Sequence, residues 1–165
     1  MKGSPAYLSL GSNLGDREDN LHRARSSVIE RIGPQLSVSG IYETGPWGYD
    51  STHLYLNCCL GVMTAMEPLQ VMDELLAIEA EMGRKREAGG YRDRTIDIDL
   101  LVYGQMILDH PRLVLPHPAM AQRRFVLVPF NEIAPDLPHP VTGVTVKDML
   151  HRCKDSSMVR LHKVG

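Results

Sequence analysis

The chain has 165 residues, 43% hydrophobic and 23% charged, a balance that suits one globular domain with a real core and excludes a disordered or fibrous polymer. Its formal net charge of −2 argues against an extended nucleic-acid footprint, and no apolar run approaches the roughly 20 residues that span a bilayer. Three cysteines, with Cys58 and Cys59 adjacent, have no disulfide-framework or zinc spacing, and the N-terminus has no signal-peptide hydrophobic region, so we expect a reducing, cytoplasmic setting.

In chain order, "AYLSLG" (6–11) alternates as a short strand and ends on glycine. "GSNLGD" turns, and Asp16 is placed to cap a helix running to about Arg31, where Gly33-Pro34 stops it. "QLSVSGIYET" (35–44) reads as a second strand and "HLYLNCCLGVMT" (53–64) as a third. Pro68 suits the first turn of a second helix with apolar residues Leu69, Met72, Leu75, Leu76 and Met82, and Gly83 suits its end. Glu79 falls on or near that apolar face, an unusual place for a carboxylate. A basic, glycine-containing loop (84–94) leads to a strand over 95–103. The remainder comprises a Pro-rich region (111–140), a short helix from Val146 to Cys153 and a last strand from Met158 to Lys163.

The order β-α-β-β-α-β with additions predicts a single α+β domain over 1–165: a ferredoxin-like split β-α-β with an antiparallel sheet, helices mainly on one face and C-terminal additions.

The chemistry concentrates around "RTIDIDLLVYG" (94–104). Alternation puts Thr95, Asp97 and Asp99 on one face of a strand and Ile96, Ile98 and Leu100 on the other. Two acids at that spacing, roughly 6.6 Å apart at Cα, can lean over a common centre and suit a hard divalent cation such as Mg²⁺. Read alone, the pair fits a solvent-facing strand equally well. The preceding loop, "RKREAGGYRDR", supplies Arg84, Lys85, Arg86, Arg92 and Arg94, and guanidinium groups match phosphate in a bidentate fork. Cations and a metal facing a polyphosphate are the usual electrostatic arrangement for phosphoryl-group transfer.

Downstream, "RLVLPHPAMAQRRF" adds Arg112, His117, Arg123 and Arg124, although a second Pro-His-Pro at 138–140 shows that this tripeptide alone signifies little. "YETGPWGYDSTHLYLN" offers Trp47, Tyr55 and Asn57, flat faces and an amide that suit a planar heterocycle as well as they suit packing. "GSNLGD" lacks the Gly-Lys-Ser/Thr ending of a phosphate-binding P-loop.

Together these segments resemble the 6-hydroxymethyl-7,8-dihydropterin pyrophosphokinase (HPPK) family of folate biosynthesis. "LGSNLGD", "YETGPWG", "YLN", "IEAEMGRKR", "RDRTIDIDLLVYG" and "LPHPAMAQRRFVLVPFNEIAPDL" match its segments in order and spacing over most of the chain. The resemblance implies a ferredoxin-like fold, transfer of pyrophosphate from the co-substrate ATP to the pterin hydroxymethyl group, release of AMP, and two Mg²⁺ ions held by Asp97 and Asp99. It implies catalytic roles for Arg84, Arg94, Asp97 and Asp99, with Arg84, Arg86, Arg94, Ile98, Arg112, His117 and Arg123 contacting ATP. Thr44, Pro46, Trp47, Tyr55, Asn57 and Phe125 would form the pterin pocket, Tyr55 and Phe125 sandwiching the ring. The chain departs from the family pattern at Gly45, at Tyr91 and at Arg92-Asp93. The expected partners are these small molecules, with neither nucleic acid nor membrane, and a monomer. Two other classes use the same features: a metal-dependent phosphohydrolase with water as nucleophile, and a non-catalytic ferredoxin-like ligand-binding module.

Overall fold

Alternation in strand β1 (Ser4–Ser12) determines the layering of the domain. Ala6, Leu8 and Leu10 are fully buried on one face, while Tyr7, Ser9 and Gly11 look to the other. The computed structural model describes residues 3–45, 54–83 and 95–162. Within them β1 pairs antiparallel with β4 (Tyr55–Thr64) on one side and β5 (Asp97–Tyr103) on the other. The far side of β4 is shared by β2 (Gln35–Val38) and β3 (Tyr42–Thr44), giving the expected split β-α-β order.

Helix α1 (Arg17–Arg31) begins at Asp16, whose side chain accepts from the Asp19 amide at 3.1 Å. Helix α2 (Pro68–Glu81) opens on proline and is followed by Gly83, whose φ of +87° is the left-handed conformation glycine tolerates. Both pack on the even face of β1. Their Leu21, Val28, Val71, Leu75 and Ile78 join Leu8, Leu10, Leu60 and Leu100 in one apolar cluster.

The C-terminal additions do more than the sequence led us to expect. The Pro-rich region contains a hairpin of β6 (Leu108–His110) and β7 (Leu113–Leu115), and then α3 (Arg124–Ile133). With α4 (Val146–Arg152), α3 covers the opposite face of the sheet, where Cys59, Leu101, Leu127, Phe130 and Met149 make a second core. Tyr7 reaches into it, its ring centroid 5.3 Å from that of Phe130. Strand β8 (Val159–Leu161) pairs with β3 and extends the sheet. The single strand expected over 35–44 is interrupted. Ser39 Oγ accepts from the Cys59 amide at 2.9 Å and donates to the Gly40 carbonyl at 2.7 Å, while Glu132 accepts from the Gly40 amide at 2.9 Å. These bonds satisfy a bend that a ladder could not.

All three cysteines are free thiols. Burial pushes Cys58 up to about 12 and Cys59 well above its usual value, so both remain protonated core residues.

Candidate active site

Asp97 and Asp99 project from β5 on the face covered by α3, and Ile98 and Leu100 point into the opposite core, as alternation requires. Opposite them on β1 stand Gly11 and Ser9, paired in register with Asp97 and Asp99 respectively. Farther along, the register of β1 and β5 shifts by one residue beside Tyr7 and Leu8. This irregularity lets Leu101 and Val102 both join the α3-side core, and it turns the Leu101 carbonyl to accept from the His117 amide at 2.8 Å. The irregular point of β5 thus anchors the downstream loop near the acids.

The buried carboxylate of α2 is explained here. Glu79 is 3% exposed, and its Oε2 accepts from the Ile98 amide at 2.9 Å. It fixes the backbone between the two aspartates from the side of β5 away from β1.

An open cavity lies over this face, bounded by Ser9, Gly11, Thr44, Gly45, Tyr55, Asn57, Asp97, Asp99, Arg123 and Phe125. Asn57 is buried and donates through Nδ2 to Thr44 Oγ1 at 2.7 Å, which orients its amide. Gly11 is required by proximity: a Cβ there would lie 2.7 Å from Asn57 Oδ1 and 3.4 Å from the Tyr55 ring. Arg123, 8% exposed, reaches to 3.8 Å from Asp99 Oδ2 and lies 5.8 Å from the centroid of the Phe125 ring. The cavity therefore gathers two carboxylates and a guanidinium beside two aromatic rings, an amide and a hydroxyl, and we call the part lined by Tyr55, Phe125, Asn57 and Thr44 the slot.

His117 sits beside this charge. Burial and the nearby Arg123 guanidinium push its pKa down to about 4, against an upward pull from Asp97. Its Nδ1 accepts from the Ala119 amide at 3.1 Å, so the neutral ring carries its proton on Nε2. His110 and His139, each also followed by proline, bond in the same way to the amide two residues on, at 3.1 Å and 3.2 Å. The His-Pro turn is a local structural device, and location alone distinguishes His117.

Of the residues expected from the sequence, the structure brings Thr44, Tyr55, Asn57, Asp97, Asp99, Arg123 and Phe125 into one cavity. Ile98 faces the α1/α2 core. Arg112, in the turn between β6 and β7, pairs with Asp73 of α2 and does not line the cavity. Pro46, Trp47, Arg84, Arg86, Tyr91 and Arg94 lie outside the described residues. Sequence reasoning missed Ser9 and Gly11 as lining residues, although the alternation of "AYLSLG" already put both on one face.

A family model described as 7,8-dihydro-6-hydroxymethylpterin-pyrophosphokinase (HPPK) matches residues 7–135. A Porphyromonas gingivalis protein named 2-amino-4-hydroxy-6-hydroxymethyldihydropteridine pyrophosphokinase is 44% identical over 137 residues, covering 81% of this chain and 92% of its own. A Haemophilus influenzae protein of the same name is 35% identical over 158 residues, covering 95% of this chain and 98% of its own. The crystal structure of Plasmodium falciparum HPPK-DHPS wild type with pteroate shares the fold, with a TM-score of 0.73 at 16% identity over 92% of this chain. This chain spans 42% of the length of that one.

Proposed function

Because the chain belongs to the 7,8-dihydro-6-hydroxymethylpterin-pyrophosphokinase family, we propose that the cavity between β5 and α3 is where it performs that family's reaction. The chain transfers pyrophosphate from ATP to the hydroxymethyl group of 6-hydroxymethyl-7,8-dihydropterin in folate synthesis. The hydroxymethyl oxygen attacks the β-phosphorus, the bond from that phosphorus to the α-phosphate oxygen breaks, and AMP departs. The observation that carries the assignment of place is the union, in one cavity, of an acid pair and an aromatic slot with an oriented amide.

The slot takes the pterin: Tyr55 and Phe125 stack on its faces, and Asn57, held by Thr44, meets the polar edge of the ring. Pro46 and Trp47 belong to the same pocket by sequence. The acid pair fits Mg²⁺, because Asp97 and Asp99 offer hard oxygen donors on one face of β5. Mg²⁺ characteristically takes one or two carboxylates and completes its shell with phosphate and water. When bound, two such ions would neutralise phosphate oxygens and lower the pKa of the attacking hydroxyl.

Arg123 directs a fixed positive charge at the triphosphate, and neutral His117 offers an Nε2 proton to a phosphate oxygen without adding charge. Arg84, Arg86, Arg94 and Arg112 are assigned to ATP from the family motifs, with Arg84 and Arg94 as catalytic cations. No helix among the described residues is long and apolar enough to cross a membrane. The three free thiols fit a reducing, cytoplasmic setting, and we propose a single-domain monomer there.

The test incubates the protein with Mg²⁺, ATP and 6-hydroxymethyl-7,8-dihydropterin. AMP and a pyrophosphorylated pterin are expected, and ADP or free phosphate would indicate phosphohydrolase chemistry. Asp97→Asn and Asp99→Asn should each lower kcat by at least about 100-fold with the fold intact, as expected for lost electrostatic stabilisation. Near-normal turnover in the folded double variant would remove the acid pair from the mechanism.

A further inference from the structure

The segment from Asp155 to His162 lies beyond the region matched by the family model, yet it is bonded to both walls of the slot. On one side, Asp155 Oδ2 accepts from the Arg124 amide at 3.0 Å. Arg124 is the first residue of α3, and the helix has no side-chain cap of its own because Arg123 occupies that position. Asp155 therefore supplies from the tail the acceptor that the helix lacks, at the turn that carries Arg123 and Phe125. Burial raises the Asp155 pKa, but amide donors from Ser157 and Arg124 outweigh that and hold the carboxyl below its usual range.

On the other side, β8 pairs with β3 so that Val159 stands opposite Thr44 and Arg160 opposite Glu43. Arg160 donates to Glu43 Oε1 at 2.5 Å, and the His162 amide donates to the Ile41 carbonyl at 2.8 Å. Glu43 also accepts from Arg17 Nη1 at 3.1 Å, and the same Arg17 atom donates to the Leu54 carbonyl at 2.9 Å, beside Tyr55. The β3 wall of the slot is thus tied to the tail, and the start of β4 is tied to β3 through Glu43 and Arg17.

We infer that residues 155–162 form a strap that sets the separation between the Phe125 wall and the Thr44 wall, and that Asp155 and Arg160 are positioning residues for recognition of the planar substrate. The inference rests on the assignment of the slot to the pterin. Neither side chain touches the substrate; each acts on an element that does. The strap holds both walls of the slot but reaches the ATP side only through the turn that carries Arg123, which Asp99 also holds, so its effect on pterin affinity is the larger.

The experiment compares the full-length chain with Asp155→Ala, Asp155→Asn and Arg160→Ala, measuring kcat and the KM of each substrate. Backbone hydrogen exchange of Arg124 to Leu127 is followed in parallel. Asp155→Ala should raise the pterin KM about 10-fold while the ATP KM stays within about 2-fold, and exchange at the start of α3 should quicken. Asp155→Asn keeps an acceptor oxygen and should recover most of the loss. Arg160→Ala, at an exposed position that folding tolerates, should raise the pterin KM about 3-fold. A folded Asp155→Ala protein with unchanged pterin KM and unchanged exchange overturns the strap, as do equal rises in both KM values. A wild-type chain that fails to use pterin overturns the assignment of the slot instead. The exchange comparison would still support the strap if protection falls, and overturn it if protection is retained.

Discussion

A single missing atom at Gly11 determines whether Asn57 can approach the strand. With a methyl group 2.7 Å from its Oδ1, Asn57 has to turn away, breaking the 2.7 Å bond to Thr44 that aims its amide. Gly11→Ala should raise the pterin KM about 10-fold and cost about 1–3 kcal/mol of stability, the range for overfilling a packed site. Steady-state kinetics and a urea titration of the variant measure both, and an unchanged pterin KM would show that the amide is not used. His117 makes a different prediction. Its folded pKa, about 4, lies below the ordinary imidazole value of 6.5, so the unfolded chain binds the proton more readily. The neutral ring's contribution is complete above pH 6.5 and disappears as pH falls toward 4. Between about pH 7 and about pH 4.5, the wild-type chain should lose on the order of 2 kcal/mol more stability than His117→Asn. Parallel slopes of unfolding free energy against pH for the two proteins would contradict this.

Among the elements, β5 was legible from the sequence because a period of two leaves only one assignment of faces: Asp97 and Asp99 outward and Ile98 and Leu100 inward. The role of Glu79 was not, because a buried acid on an apolar helical face acquires its meaning from a strand residue, Ile98, 19 positions later. Helix α3 was hidden by Pro129, which lacks an amide hydrogen and ordinarily argues against a helix interior. Val126, Leu127 and Phe130, all nearly inaccessible, offset that penalty by packing on the sheet, and no local signal reports such packing. The bend between β2 and β3 was obscured in the same way, since the partners that stabilise it, Cys59 and Glu132, lie far along the chain. The candidate site followed this division. Residues whose position depends on alternation could be placed in advance, whereas Ser9 and Gly11 emerged from pairing and Arg112 was found bonded to Asp73.

At the scale of the molecule, one sheet separates two apolar clusters, and the cavity opens on the side that the C-terminal additions cover. Phe130 is fully buried in that second cluster and makes a tilted ring contact with Tyr7 of the interior strand β1, so the two sides should unfold together. Phe130→Ala should cost about 3–5 kcal/mol and shift a single calorimetric transition downward. Two separated transitions would instead make the α3–α4 layer an independent unit. The position of β5 has a further consequence. Among the described residues it is the last strand of the sheet, and an outermost strand exposes amides and carbonyls on which another chain can add. Here Glu79 has already claimed the Ile98 amide and the His117 amide has claimed the Leu101 carbonyl, so part of the strand's hydrogen-bonding capacity is already used. The carboxylate that fixes the backbone between the two aspartates thereby also leaves the edge of the sheet less open to an added strand.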